Sequence, residues 1–414
     1  MLNSVAINKK PSFVWLCFCS FLFLSCKKEA GDPFAGVPRT GTRTQLTLDS
    51  IFLYASQIYL WRDAIPAYDV FKPRDRYGSI VQPLSACQNE VYDISQMPLN
   101  PQTGYAFEYN GTKKTPRYSF ITDVPVSVSS AMGGTPAEMP YGADSVWELG
   151  SKKAAYLLLR SFPRLSDCQQ WLDNVFDDFA GQNMEDLVID LRDNTGGYVA
   201  TVQYLADLIA AVSMNGKKMY SEAYNPFMQE GKAFLLRQQL YLDERGNTVN
   251  YNGRLATLAD VDYSEAGNTY LFSKKGNLNS LKKLYFLVSG TTASAAEMLI
   301  SVLKPWFSVQ LIGQKTYGKP VGFFAVKIDA YSLYLSSFLI KNADGWHDYF
   351  NGMTPDIALV NMDSALDTAL RLIDPSTAPE MNRAIAPKVS TLTIKDPGSR
   401  LKNVLIESRW KLKK

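Results

Sequence analysis

The chain has one histidine, His347, in 414 residues. That scarcity excludes a zinc site built on several histidines and a haem with two histidine ligands. It also leaves a single candidate for the usual base of a hydrolytic serine. Cysteine is sparse too: of five, Cys17, Cys19 and Cys26 crowd the first 26 residues, and only Cys87 and Cys168 lie beyond them. A disulfide-dense scaffold is thereby excluded, while a single Cys87–Cys168 bridge stays open. Nor is there an apolar run of the ~20 residues that a membrane-spanning helix needs. The stretch from Phe13 to Leu24 is shorter, follows Lys9 and Lys10 and leads into Ser25-Cys26. It reads as the core of a secretory signal peptide.

The end of that run, with Leu22, Leu24 and a small residue directly before Cys26, resembles a bacterial lipoprotein cleavage box, although Phe23 stands where the box has a smaller aliphatic residue. The expectation is a signal peptide over 1–26, a lipid on Cys26, and a protein held at a membrane outside the cytoplasm. Loss of Lys9 and Lys10 would reduce the net charge from +3 to +1, so no nucleic-acid partner is expected. Residues 27–45, rich in Gly, Pro and Thr, read as a tether.

The remaining composition, 46% hydrophobic and 20% charged, is that of a globular chain long enough for two or three domains. Ile51, Tyr54, Ala55, Tyr59 and Leu60 recur at helical spacing, which predicts an N-terminal helical unit over 46–70, bounded by Pro66 and Pro73. Residues 71–150 carry seven further prolines and Gly133-Gly134, with short apolar runs at 118–121 and 124–128. A loop-rich segment with a few edge strands is expected. Regular patterning returns over 151–375. Ala154–Ser161 reads as a strand, and Ser166 caps a helix whose apolar face is Trp171, Val175, Phe176 and Phe179. Leu187–Leu191 is a continuous apolar run, broken only by Asp190, of the kind buried on both faces of a sheet. A glycine turn, 192–197, leads to a helix from Val199 to Met214 closed by Gly216. Strand, small-residue turn and helix recur at 284–304, and Val309–Ile312 adds another strand. Repeated βα units predict an α/β layered core. Phe323–Ile328 and Tyr331–Ile340 read as a hairpin. From Lys395 the last segment, 376–414, has seven Lys or Arg against two Asp or Glu, a basic tail that is either solvated or in contact with acidic lipid.

Ser294 falls at the start of the helix that follows Leu284–Val288, where unpaired N–H groups and the helix dipole favour negative charge on a nearby oxygen. Such a hydroxyl is either an N-cap or a nucleophile. His347 lies in a polar turn and no GxSxG elbow exists, so a Ser-His enzyme has little support. The alternative base is a lysine kept neutral by burial. Short Ser-x-x-Lys patterns do not identify it, because Ser280–Lys283, Ser301–Lys304 and Ser399–Lys402 all match one.

Three longer motifs do. Asp190-Leu191-Arg192-Asp193-Asn194-Thr195-Gly196-Gly197, Thr292-Ala293-Ser294-Ala295-Ala296-Glu297 and Thr316-Tyr317-Gly318-Lys319, in this order, resemble the tail-specific, or C-terminal processing, serine proteases. Lys319 follows Ser294 by 25 positions, that family's usual interval between nucleophile and base. The resemblance spans about 150–360 and includes Asn342–Asp356, which is similar to the closing strand and loop of bacterial members. It implies a layered βα core of the ClpP/crotonase-like type, with a small N-terminal helical unit and a loop-rich β insertion. It further implies a serine endopeptidase with a Ser-Lys dyad that needs no cofactor or metal and takes protein or peptide substrates. Ser294 would be the nucleophile, Lys319 the general base, and Glu297 a residue that positions the lysine or its neighbours. Backbone N–H groups of Gly196, Gly197 and Ala295 would form an oxyanion hole, with Asp190, Arg192 and Asn194 bracing the glycine turn.

Two departures from the family pattern stand out. Where members with an assisting glutamine carry it, four residues after the lysine, this chain has Phe323. The 71–150 region, with Tyr118–Asp123 like the segment that precedes a PDZ module, shows no carboxylate-binding loop, so that module is expected to be missing or degenerate. A rival reading is therefore a non-catalytic lipoprotein that binds a peptide or apolar ligand on the same fold.

Overall fold

The computed structural model describes residues 36–123, 142–150, 152–243, 246–376, 390–392 and 410–413. The expected signal peptide, Cys26, residues 27–35 of the tether and most of the basic tail lie outside the described residues; the tether's last three positions, 43–45, belong to the first helix, Arg43–Ile58.

A seven-stranded sheet organises the core. Its order is Ile357–Ala358, Ser308–Gly313, Lys283–Val288, Asp186–Asp190, Lys152–Leu159, Gly142–Leu149, Ser390–Leu392. The first five run parallel, and the last two pair antiparallel at the far edge. The run at 187–191 is buried on both faces, as its composition requires. Leu187 and Ile189 point into the main core, whereas Val188 joins a second cluster with Tyr285, Leu287 and Ile312 beneath the helix Ala365–Ile373. Helices Leu165–Gly181, Val199–Ile209 and Ala295–Leu303 bury their apolar faces in the main core. Two further sheets flank it. One has the order Val321–Gly322, Phe338–Asn342, Lys218–Tyr224, Thr269–Leu271; the other joins Phe120–Thr122, Tyr331–Tyr334 and Ala325–Ile328.

Several sequence boundaries move. The helical unit does not stop at residue 70, because Pro83–Ser95 is a helix with Pro83 in its first turn. Proline there costs nothing, since the first N–H groups of a helix have no partner within it; it opens this helix and does not break it. The main sheet starts at Gly142 and not at 151. Ser166 is not a cap: the helix begins at Leu165, and Ser166 Oγ donates to Asp167. The helix after the glycine turn ends at Ile209, and Val212–Met214 is a separate 3-10 turn. The expected long hairpin is divided, with Ala325–Ile328 pairing with Tyr331–Tyr334 while Phe338–Asn342 crosses to another sheet. Cys87 and Cys168 are both buried and free. Within the tail, residues 410–413 are docked: Leu412 bridges to Val261, and Trp410 donates to Tyr224 and packs edge-on against Phe324. Among the described residues no helix is long and apolar enough to cross a membrane.

Candidate active site

The site forms where the parallel strands end. Asp186–Asp190 runs out into the glycine turn, Lys283–Val288 into the serine turn, and Ser308–Gly313 into the lysine turn. Adjacent parallel strands bring their C-terminal loops together, so residues about a hundred positions apart in sequence, Gly196 and Ser294 among them, become neighbours.

Hydrogen bonds lock the serine turn against the glycine turn. Thr292 Oγ1 donates to Leu191 O at 2.8 Å, and Ala293 N–H to Asn194 O at 3.1 Å. Asn194, fully buried, also donates to Leu159 O (3.0 Å) and accepts from Gly196 N–H (2.8 Å). Asp190 holds Arg192 through both carboxylate oxygens and accepts from Tyr156, while Arg192 reaches Met362 O at 2.7 Å. These polar residues brace the turn.

Ser294 occupies the N-cap position of Ala295–Leu303 with φ 58° and ψ −117°. A positive φ at a residue with a Cβ costs about 1–3 kcal/mol and persists only where neighbours over-determine it. Half of a capping box is present: Glu297 accepts the Ser294 N–H at 3.0 Å. In the serine half the side chain is placed toward the Glu297 backbone but falls short of a hydrogen bond, and Ser294 Oγ is buried without a partner. A buried hydroxyl left without a partner calls for a reason, and helix capping is not it.

Glu297 draws the two motifs together. Its carboxylate, fully buried, accepts four hydrogen bonds: Ser294 N–H (3.0 Å) and Lys319 N–H (2.8 Å) on Oε2, Thr316 Oγ (2.6 Å) and Gly318 N–H (2.6 Å) on Oε1. Because one oxygen takes both amides, the backbone nitrogens of Ser294 and Lys319 lie less than 6 Å apart, the sum of the two bonds. Burial pushes the Glu297 carboxyl up while the four donors pull it down. Three of the four donors are amides that can only donate, so the arrangement fits the carboxylate form.

Lys319 is 1% exposed. Burial brings its amine from 10.5 down to about 7, against the opposing pull of Glu108 and then Glu297. Its Nζ stands 4.5 Å from the centroid of the Phe323 ring. Phe323 in turn packs edge-on against Phe120 and Tyr334. At the position of the missing glutamine, an aromatic face therefore receives the lysine by a cation–π contact.

The expected oxyanion hole is corrected at one of its three members. The Gly196 N–H is already taken by Asn194, so it is not a free donor. Gly196 instead provides room: at φ 114°, a Cβ there would stand 3.0 Å from Ser294 Cβ and 3.2 Å from Ala295 N. Ala295 N, next along the chain from Ser294, lies close to Gly196, while Gly197 packs against Phe162. His347 is tied to its own turn, with Nδ1 3.0 Å from Gly345 O.

Sequence reading missed a group of residues on the N-terminal side. Arg117 donates to Tyr317 O and to Phe350 O (2.9 Å), and Tyr118 OH donates to Gly318 O at 2.5 Å. Both clamp the lysine turn from outside. Glu108 is a second buried carboxylate near Lys319. Its only signal was one acidic residue inside the aromatic run Tyr105-Ala106-Phe107-Glu108-Tyr109. Among the described residues no group of three or more His, Cys, Asp or Glu could hold a metal ion.

The model of peptidase family S41 matches residues 153–359, half of the chain. No curated protein matches. Among solved structures the chain is similar to a protein described as an S41 protease from Bacteroides fragilis (22% identity, 63% of this chain and 66% of that one, TM-score 0.43). It is also similar to the photosystem II D1 C-terminal processing protease (14% identity, 82% and 99% covered, TM-score 0.47). A lipoprotein from Streptococcus agalactiae is a third (13% identity, 81% and 99% covered, TM-score 0.45). The chain spans just under two thirds of the first of these and nearly all of the other two. With the glycine, serine and lysine turns all inside the matched residues, the chain belongs to peptidase family S41, the tail-specific or C-terminal processing serine peptidases.

Proposed function

We propose that the chain is an endopeptidase that cleaves protein or peptide substrates with a Ser294–Lys319 dyad. The observation that carries this reading is the single Glu297 oxygen holding the backbones of both residues, beside a buried Ser294 hydroxyl with no other partner. A lysine that titrates at about 7 is neutral in a large fraction at neutral pH and can accept the serine proton. Ser294 Oγ then attacks the scissile carbonyl carbon. Charge developing on the carbonyl oxygen is stabilised by the N–H groups of Gly197 and Ala295 at the positive end of the serine helix. The lysine ammonium returns its proton to the leaving amine, and water hydrolyses the acyl-enzyme.

Between Thr122 and Gly142 lie 19 residues, fewer than the ~50 that an independent domain requires. That interval supports a protein with no PDZ module, in which the cleft itself recognises the substrate. The sequence of residues 1–26 supports attachment outside the cytoplasm through a lipid on Cys26, which metabolic labelling with an alkynyl fatty acid and its loss in Cys26→Ala would test. Ser294→Ala and Lys319→Ala are each expected to abolish cleavage of unfolded casein with the fold intact. Activity retained in either variant sinks the dyad. A wild-type protein that neither cleaves nor forms an acyl-enzyme would favour the non-catalytic binding reading.

A further inference from the structure

Glu108 is contributed by the segment that follows the N-terminal helices, outside the residues matched to the peptidase family. It is fully buried, and five donors converge on it. Oε2 accepts Tyr118 N–H (3.1 Å) and Ser119 N–H (2.7 Å), while Oε1 accepts Tyr59 OH (3.1 Å), Ser119 Oγ (2.7 Å) and Ser336 Oγ (2.9 Å). Burial pushes the Glu108 carboxyl up, and the donors from Ser119, Ser336 and Tyr118 pull it back down; the two amides among them can only donate, which fits the carboxylate form. Its donors belong to the regions that flank the lysine turn: Tyr59 ends the first helix, Tyr118 donates to Gly318 O next to Lys319, and Ser119 leads into Phe120, which packs on Phe323 beneath the lysine amine. The charged groups that act on Lys319 are thus Glu108 from the N-terminal side and Glu297 from the serine helix; around these carboxylates, Tyr118 lies near both and near Arg117, and Tyr349 near Glu297 and Tyr118.

We propose that Glu108 is a positioning residue for Lys319: its caged carboxylate supplies, with Glu297, a second fixed negative charge beside the amine, and ties the state of the base to the docking of the N-terminal segment. Of the two carboxylates, Glu108 exerts the larger pull on Lys319. The Glu297 charge is spent on backbone amides of the site, whereas Glu108 is held from outside the catalytic core. An N-terminal segment that is displaced would carry this charge away and leave a base with altered proton affinity.

The proposal rests on the dyad reading, and the test keeps the two apart. In full-length protein with isotopically labelled lysine side chains, the Lys319 resonance is assigned by its loss in Lys319→Ala and titrated in wild type and Glu108→Gln. Removing the charge should lower the Lys319 midpoint by about 1 pH unit, as expected for loss of an opposite charge nearby. The acid limb of kcat/KM on unfolded casein should move down with it, and Glu108→Asp should restore both. An unchanged midpoint in folded Glu108→Gln overturns the proposal while leaving the dyad standing. Absence of Ser294-dependent cleavage in wild type sinks the dyad, and the resonance titration still decides the role of Glu108. Should Glu108→Gln fail to fold, Tyr59→Phe, which removes one donor from Oε1, should lower the midpoint by a smaller amount, and no movement there overturns the proposal.

Discussion

Replacing Lys319 with methionine should make the protein more stable and inactive. The amine titrates at about 7 when folded and at 10.5 when exposed, and burial is the first cause. Because the folded value is the lower one, the charged form is disfavoured in the native state. Below about pH 7 both states hold the proton and the full cost applies, about 5 kcal/mol for this gap. Between about 7 and 10.5 the unfolded chain binds the proton and the native one does not, so stability rises with pH. Above 10.5 the contribution disappears. Methionine has a similar length, fills the space against Phe323 and carries no charge, so it escapes the cost. The two nearby carboxylates are not orphaned by its arrival, since Glu297 keeps four donors and Glu108 five. The expected gain of Lys319→Met over wild type is about 5 kcal/mol at pH 6, falling to about 1 kcal/mol at pH 9.5. At roughly 2–4 °C per kcal/mol the acid-side difference is on the order of 10 °C in Tm. Urea unfolding at a series of pH values reads it directly, and the comparison between the two proteins cancels the titration of every other group. A difference that stays flat from pH 6 to 9.5 would refute the claim that the lysine is held buried against its charge.

Other consequences follow from the same geometry. The acid limb of kcat/KM should have a midpoint near 7, set by Lys319, and His347→Ala should leave it in place; a limb that vanishes with His347 would transfer the base to the histidine. Glu297→Gln puts an amide where two of four donors point, so two buried hydrogen bonds are lost at about 1–3 kcal/mol each; a melt within 1 °C of wild type would contradict the role assigned to that carboxylate. Gly196→Ala places a methyl 3.0 Å from Ser294 Cβ and 3.2 Å from Ala295 N, and should lower kcat about 100-fold or more through the oxyanion site, seen as slowed acylation in stopped-flow.

Much of the core was legible because its elements obey short-range rules. The run at 187–191 is apolar on both faces, and it is buried on both; the strand–turn–helix unit at 283–303 announced itself by period and by small residues at the turn. Ser294 and Lys319 were singled out for another reason, the spacing of three motifs, and the structure buries both to 1% exposure. The failures have a common physical origin. Gly196 was expected to donate its N–H, but whether an amide is free depends on where a side chain two residues earlier turns, and Asn194 turned back onto it. Pro83 was counted among the prolines of a loop-rich segment, though the same ring that breaks a helix interior suits its first turn. Phe323 appeared as a gap in the family pattern, yet the lysine leans on its ring.

Glu108 was invisible because nothing local marks it. Its five donors come from positions 59, 118, 119 and 336, so its burial is decided only after the N-terminal helices, the short strand at 120–122 and the loop after 334 have met. A carboxylate caged by groups that distant can exist only in the assembled protein, and the same is true of the depressed lysine beside it. Exposed in the unfolded chain, Lys319 is an ordinary ammonium at neutral pH; its amine is brought down only when the N-terminal segment, the serine helix and the lysine turn bury it. On the proposed dyad, catalytic competence and completion of the fold are one event: the groups that bury the amine and set the charges around it are spread from Tyr59 to Ser336, while the motif that names it occupies four positions.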